Sequence, residues 1–284
     1  MLRELKFSIA NHTFWYTYEI PFELPLDSPI NNFRIGDYTN YDTKNSIRFN
    51  AALLEYRKWK ADFETPAWSY YDSEKIFLMH PNKTIVGEVK LINGFRDVIT
   101  TVNSYEFLPQ PAPICVTGLL LQNALANTEA VHGLIMHGAV INLNGVGLVL
   151  TGNSGVGKST LSRLLRENTS CKQISDDRFI LIMKENEFYG WGNPFDTKIE
   201  RNLNIGAKIE IVFFLKHGKN NNAKKIEKSE ILERLIKISL LPYWNKIAVK
   251  SSILLLKRWV DKTHFYELEF RPDDDIVPYV GAML

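Results

Sequence analysis

The chain has 284 residues, 45% of them apolar and 23% charged, with a formal net charge of +2. That length and apolar share allow one large core or two modest ones, and acids and bases balanced this closely give no electrostatic case for a nucleic-acid partner. Two cysteines, Cys115 and Cys171, exclude a disulfide framework, and no Cys/His spacing marks a zinc site.

The opening "MLRELKFSIANHTFWYTYEI" lacks the continuous apolar stretch of a signal peptide, and nowhere do eighteen apolar residues follow one another. The expectation is a cytoplasmic protein with no membrane partner. From Met1 to about Phe107 short aromatic and β-branched runs alternate with turn residues, which predicts mostly strand. "KIFLMHPNKTIVGEVKLI" reads as a hairpin and "RDVITTV" as a further strand, while "AALLEYRKWK" fits helix or strand equally. "WYTYEIPFELPL" is either core or the lining of a peptide groove. Three prolines in "LPQPAP" favour an extended linker, which divides the chain into a β-rich region, 1–110, and an α/β region, 111–284. The fold class expected is therefore α/β (α+β).

In the second region "ICVTGLLLQNALA" is apolar at helical spacing, and "HGAVINLNGVGLVLTG" holds two β runs around Asn144-Gly145, a dipeptide suited to tight hairpins. Strands are expected at Phe179–Met183, at Ile209–Leu215 and over "HFYELEF". Helices fit "KSEILERLIKISLL" and "KIAVKSSILLLKRWV", separated by Pro242. "KHGKNNNAKK", Lys216 to Lys225, reads as a solvated, mobile hairpin loop.

The most informative stretch is "LVLTGNSGVGKSTLSRLL". It fits G-x-x-x-x-G-K-[ST] at Gly152, Gly157, Lys158 and Ser159, with a β run before it and helical apolar spacing after it. Glycines 152, 155 and 157 let backbone N–H groups turn inward, and the helix that follows adds its positive end, so Gly152, Asn153, Ser154, Gly155, Val156, Gly157, Lys158, Ser159 and Thr160 form a candidate phosphate cradle. In that reading Lys158 reaches the β and γ phosphates and the Ser159 hydroxyl ligates Mg²⁺.

A cradle alone does not say what happens to the phosphate. About eighteen residues after Lys158, "QISDDRFIL" places Asp176 and Asp177 at the end of a β run, the span a crossover helix needs to return to the sheet. Two adjacent carboxylates there suit a division of labour between a metal ligand and a base on an incoming hydroxyl, although an Asp pair also serves turns and caps. His137 in "MHGAV" is a further candidate, and His132 in "VHGL" a weaker one.

Together, "MHGAVINLNGVGLVLTGNSGVGKSTLSRLL" and "ISDDRFIL" resemble the HPr serine kinase family and its kinase-like relatives, whose nucleotide site is similar to that of phosphoenolpyruvate carboxykinases. The resemblance covers about 134–215, including "GNPFDTKIERN", and more weakly "HFYELEFRPDD". It implies ATP and Mg²⁺ as cofactors, Asp176 as the base, Asp177 as a Mg²⁺ ligand and His137 beside the transferred phosphate. It also implies a peptide or protein acceptor, and it is compatible with a homo-oligomer. Two departures separate the chain from the bifunctional members: Thr160 stands where an acidic residue is usual, and the Arg-Pro-Gly-Arg-type segment is replaced by "LPYWNKIAVKSSI". The chain looks closer to relatives from peptide natural product pathways, including those that phosphorylate the terminal serine of lasso peptides. A small-molecule kinase, and an NTPase or nucleotide switch, are the alternatives. Lys198 and Arg201 in "DTKIERN" could add cations or simply form surface ion pairs.

Overall fold

In the computed structural model the described residues are 3–10, 12–18, 44–51, 63–64, 68–72, 75–79, 85–92, 97–102, 125, 133–194, 203–243 and 246–284. They form a mixed α/β protein with two sheets. The first uses β1 (Arg3–Ile9), β2 (His12–Tyr18), β3 (Lys44–Ala51), β4 (Phe63–Glu64), β5 (Trp68–Asp72), β6 (Lys75–Met79), β7 (Ile85–Ile92) and β8 (Asp97–Val102). Their order is β1-β2-β3-β8-β7-β6-β5-β4. The expected hairpin is β6–β7, antiparallel from Lys75↔Lys90 to Met79↔Ile85, and "RDVITTV" is β8. Only Ala51 of "AALLEYRKWK" is described; "LPQPAP" and nearly all of "ICVTGLLLQNALA" lie outside the described residues.

The second sheet carries the glycine-rich loop, the candidate phosphate cradle. It is built from β9 (Gly133–His137), β10 (Ala139–Leu143), β11 (Val146–Thr151), β12 (Lys172–Ser175), β13 (Arg178–Lys184), β14 (Glu187–Trp191), β15 (Gly206–His217), β16 (Asn222–Lys225), β17 (Ser239–Leu240) and β18 (His264–Phe270). The helices are α1 (Lys158–Asn168), α2 (Lys228–Lys237), α3 (Lys246–Lys262) and α4 (Ile276–Gly281). Asn144 (φ 55°) and Gly145 (φ 90°) close the β10–β11 hairpin, both in the left-handed region that a tight hairpin turn requires.

The long strand β15 joins two sets of strands. Its first residues pair antiparallel with β14, which continues through β13 and β9 to the short edge strand β17. Further along, β15 lies parallel to β11 on one side and to β18 on the other. The chain passes from β11 through α1 to β12, which pairs antiparallel with β10 at the sheet edge. The ends of β11, β12, β15 and β18 therefore face one edge, where ligands gather in open α/β sheets.

Because this part of the sheet is covered on both faces, its central strands carry continuous apolar runs, Leu148–Leu150 in β11 and Ile211–Leu215 in β15, rather than alternating ones. In β11, Leu148 and Leu150 pack toward Leu161, Leu164 and Leu165 of α1 and Ile276 and Val280 of α4. Val149 between them belongs to the opposite core with Leu235 of α2 and Leu255, Leu256 and Trp259 of α3. β15 divides likewise, Phe213 to the first core and Val212 and Phe214 to the second. Trp259 anchors that second core, its ring 5.5 Å from Phe265 and 6.2 Å from Phe188.

Two sequence expectations need correction. The helix predicted over "KSEILERLIKISLL" stops at Lys237, because Ser239 and Leu240 pair instead with Met136 and Ile135 of β9. The Ser239 hydroxyl donates to the Leu235 carbonyl at 2.6 Å as the chain leaves the helix. Nor does Lys216 to Lys225 form a hairpin: β16 pairs with β18 on the side away from β15, so the connection crosses the end of β18. It is held there by Gly218 N–H to the Phe270 carbonyl at 3.1 Å, Arg271 N–H to Asn221 Oδ1 at 3.0 Å and Ala223 N–H to the Tyr279 hydroxyl at 2.8 Å.

Candidate functional site

The phosphate loop leaves β11 at Thr151 and enters α1 at Lys158. Three glycines shape it, with φ of 141° at Gly152, 78° at Gly155 and 100° at Gly157, conformations in which a Cβ is strained. At Gly157 space forbids a side chain as well, since a Cβ would lie 2.7 Å from Cζ of Phe270. The helix start has no side-chain cap and no acidic residue in its first turn. Its N–H groups and positive dipole end are thus unopposed by protein carboxylates on the helix, which suits an external anion.

Lys158 is 9% exposed, and its ammonium donates to the carbonyls of Gly152 at 3.1 Å and Asn153 at 3.2 Å. Burial pushes its pKa below the ordinary value of 10.5, while the charges of Asp177 and then Asp176 pull it back up. Both aspartates are therefore close enough to act on this ammonium. Burial strips the ammonium of solvating water, and a phosphate chain would offset that with opposite charge.

Asp176 and Asp177 follow β12 directly and stand in different surroundings. Asp176 is 8% exposed, and the Gln173 amide donates to its Oδ1 at 2.9 Å and to the Ser175 carbonyl at 3.2 Å. The side chain of Asp177 is 53% exposed and lies beside His137, Nδ1 to Oδ1 3.3 Å. His137 Nδ1 also donates to the Asp177 carbonyl at 2.7 Å, and Gly138 N–H donates to the same oxygen at 2.8 Å. With Nδ1–H engaged by a carbonyl, Nε2 is the ring's hydrogen-bond acceptor in the neutral imidazole.

Long-range bonds fix these strand ends to one another. The Thr151 hydroxyl donates to the His137 carbonyl at 2.9 Å, and His137 N–H donates to the Ile238 carbonyl at 2.7 Å. Val140 N–H donates to the Ser175 hydroxyl at 3.1 Å, where the β10–β12 register shifts between Val140 and Ile141. The structure thus brings His137, Lys158, Asp176 and Asp177 into one neighbourhood. Gln173 and Thr151 escaped the sequence reading; in "KQISDD" nothing marks Gln173 apart from its polar neighbours. His132, Lys198 and Arg201 lie outside the described residues.

Among the described residues no group of three or more His, Cys, Asp or Glu side chains could hold a metal by itself. The oxygen donors of Ser159, exposed at the start of α1, and Asp177 fit a hard ion such as Mg²⁺, which commonly completes its shell with water and substrate phosphates. No helix among the described residues is long and apolar enough to cross a membrane.

Comparison with known proteins adds the following. The family model described as SynChlorMet cassette protein ScmC matches residues 113–254, half of the chain, and this span holds His137, the loop and both aspartates. No curated protein matches. Among solved structures, the Hpr(Ser) kinase/phosphatase from Coxiella burnetii is 13% identical and covers 52% of this chain and 92% of its own, at a TM-score of 0.30. A likeness at that level carries no weight for the chemistry, which rests on the residues described above.

Proposed function

We propose that this chain, which belongs to the SynChlorMet cassette protein ScmC family, is an ATP-dependent phosphotransferase that passes the γ-phosphoryl group to a hydroxyl. The acceptor we favour is a serine of a peptide or protein, with the terminal serine of a lasso-type peptide as the narrowest form of that reading. One observation carries it: the Asp176-Asp177 pair is tied to the start of the loop, His137 bonding Asp177 through Nδ1 and accepting the Thr151 hydroxyl at its carbonyl, which puts two carboxylates beside the buried loop ammonium of Lys158. A protein that only binds nucleotide needs the cradle alone, whereas transfer to a hydroxyl also needs a group that accepts a proton beside it.

The loop amides and Lys158 hold the phosphate chain and offset the charge that develops on it. Asp176, held in place by the Gln173 amide on Oδ1, orients the acceptor hydroxyl and takes its proton as the oxygen bonds to the γ-phosphorus. The bond from that phosphorus to the β–γ bridging oxygen breaks, and ADP leaves. Mg²⁺ held by Ser159 and Asp177 would neutralise charge on the phosphate oxygens. His137 holds the Asp177 backbone and carboxylate in place and lies beside the transferred group.

The test is incubation with γ-labelled ATP, Mg²⁺ and peptides encoded beside its gene. Label recovered on a peptide serine supports the reading, label on a small molecule redirects it to another acceptor class, and label released only as free phosphate replaces it with an NTPase.

A further inference from the structure

Two glycines of the loop pack against neighbouring strands. A Cβ on Gly152 would lie 3.2 Å from the Leu215 carbonyl of β15, and one on Gly157 would meet the Phe270 ring of β18. Gly155, at φ 78°, differs: nothing lies within 4 Å of its Cβ position, so packing does not restrain it on that side. Its carbonyl is instead engaged by Nε2 of His217, at 3.1 Å. Since a carbonyl can only accept, Nε2–H donates.

We propose that His217 is a positioning residue for the nucleotide, a strut that fixes the Gly155 peptide and so holds the loop in its phosphate-binding shape. This rests on the loop's being the nucleotide site. In a planar trans peptide the C=O and the following N–H point in opposite directions, so holding the Gly155 carbonyl toward His217 turns Val156 N–H away from it. That N–H is directed across the loop, 3.3 Å from the Asn153 carbonyl. Without the strut, a glycine in open space would turn its peptide at little cost, and nucleotide binding would have to meet the cost of ordering it.

The strut itself is firmly founded. His217 is the last residue of β15, opposite Phe270 in the parallel register with β18, and Gly218 N–H donates to the Phe270 carbonyl. Two neighbouring strand ends thus restrain consecutive parts of the loop, β18 through the ring against Gly157 and β15 through the imidazole on Gly155. None of this is visible in "KHGKNNNAKK", where the histidine reads as part of a basic surface loop.

Two variants and two measurements test the proposal. By calorimetry, His217→Ala should bind ATP with Mg²⁺ roughly five- to tenfold more weakly than the parent, the range expected for one hydrogen bond, with kcat little changed. His217→Gln, which keeps an N–H donor at comparable reach, should recover most of the affinity. Without nucleotide, amide exchange of residues 153–157 should be faster in His217→Ala and restored in His217→Gln. Unchanged affinity and exchange in His217→Ala overturn the proposal, as does a His217→Gln variant no better than Ala. If the parent binds no nucleotide, the nucleotide-site reading and this role fail together. If the parent binds ATP but His217→Ala leaves loop exchange and affinity untouched, only the role of His217 fails.

Discussion

The two halves of the candidate site are built in opposite ways. The half proposed to hold phosphate is one uninterrupted stretch, Gly152 to Thr160, whose shape comes from three glycines of positive φ and whose helix start has no side-chain cap. The half proposed to handle the proton is gathered from the ends of β9 and β12, with Asp176 and Asp177 leading toward β13, and is tied together by bonds spanning 35 and 40 residues of sequence. A cradle of N–H groups can be encoded locally because every residue but proline carries one. A base beside it needs a particular side chain at a particular place, which only the tertiary fold provides.

The largest expected effect separates these halves. Asp176→Asn should reduce phosphoryl transfer roughly 10³- to 10⁴-fold, the upper range for loss of a positioned base, while ATP affinity by calorimetry stays within about twofold. Lys158→Ala should lower both, with a loss of roughly 10²- to 10³-fold in turnover. An Asp176→Asn variant that still turns over would remove that residue from the base role. Loss of ATP binding in the same variant would mean that the halves are not separable.

Within the phosphate-holding half, its two apical glycines should respond unequally. At Gly157 an alanine faces both a φ of 100° and the Phe270 ring, itself 1% exposed and unable to move aside freely. A destabilisation of about 1–3 kcal/mol, read as a shift in denaturant midpoint, is expected from backbone strain alone, and the ring contact adds to it. Gly155→Ala meets the φ cost without a steric one and should be the milder of the two. Equal destabilisation would show that the β18 contact does not restrain the loop.

Much of this division was already legible in the chain. The loop, its preceding strand and following helix, the Asn144-Gly145 hairpin and the strand over "HFYELEF" are local signals, and each stands where the pattern put it. What escaped was set by distant partners. Ser239 and Leu240 continue a helical pattern yet pair with β9, because that edge takes up backbone groups that a helix would otherwise use internally. The path of Lys216 to Lys225 over β18 was hidden, since its polar composition gives no sign of the strand it joins. Gln173 is one more polar residue until Asp176 is placed beside it.

The smallest expected effect asks whether the halves communicate through charge. Burial lowers the pKa of Lys158 from 10.5, and Asp177 opposes that shift most, followed by Asp176. Phosphate binding adds negative charge and raises the pKa again. In the alkaline window between the free protein's lowered pKa and the value in the complex, binding takes up a proton, so ADP affinity falls as pH rises through the lowered pKa. Stability of the free protein moves the other way across the window up to 10.5, because the unfolded chain retains the proton that the folded one has released. Calorimetry with ADP in buffers of different ionisation heat should detect this uptake. Asp177→Asn removes the largest opposing charge, lowers the free pKa further and should shift the onset of proton uptake to lower pH. Omitting Mg²⁺ keeps any loss of a metal ligand out of that comparison, so an unmoved onset would mean that the exposed carboxylate is screened from the ammonium and that the halves meet only through the substrate.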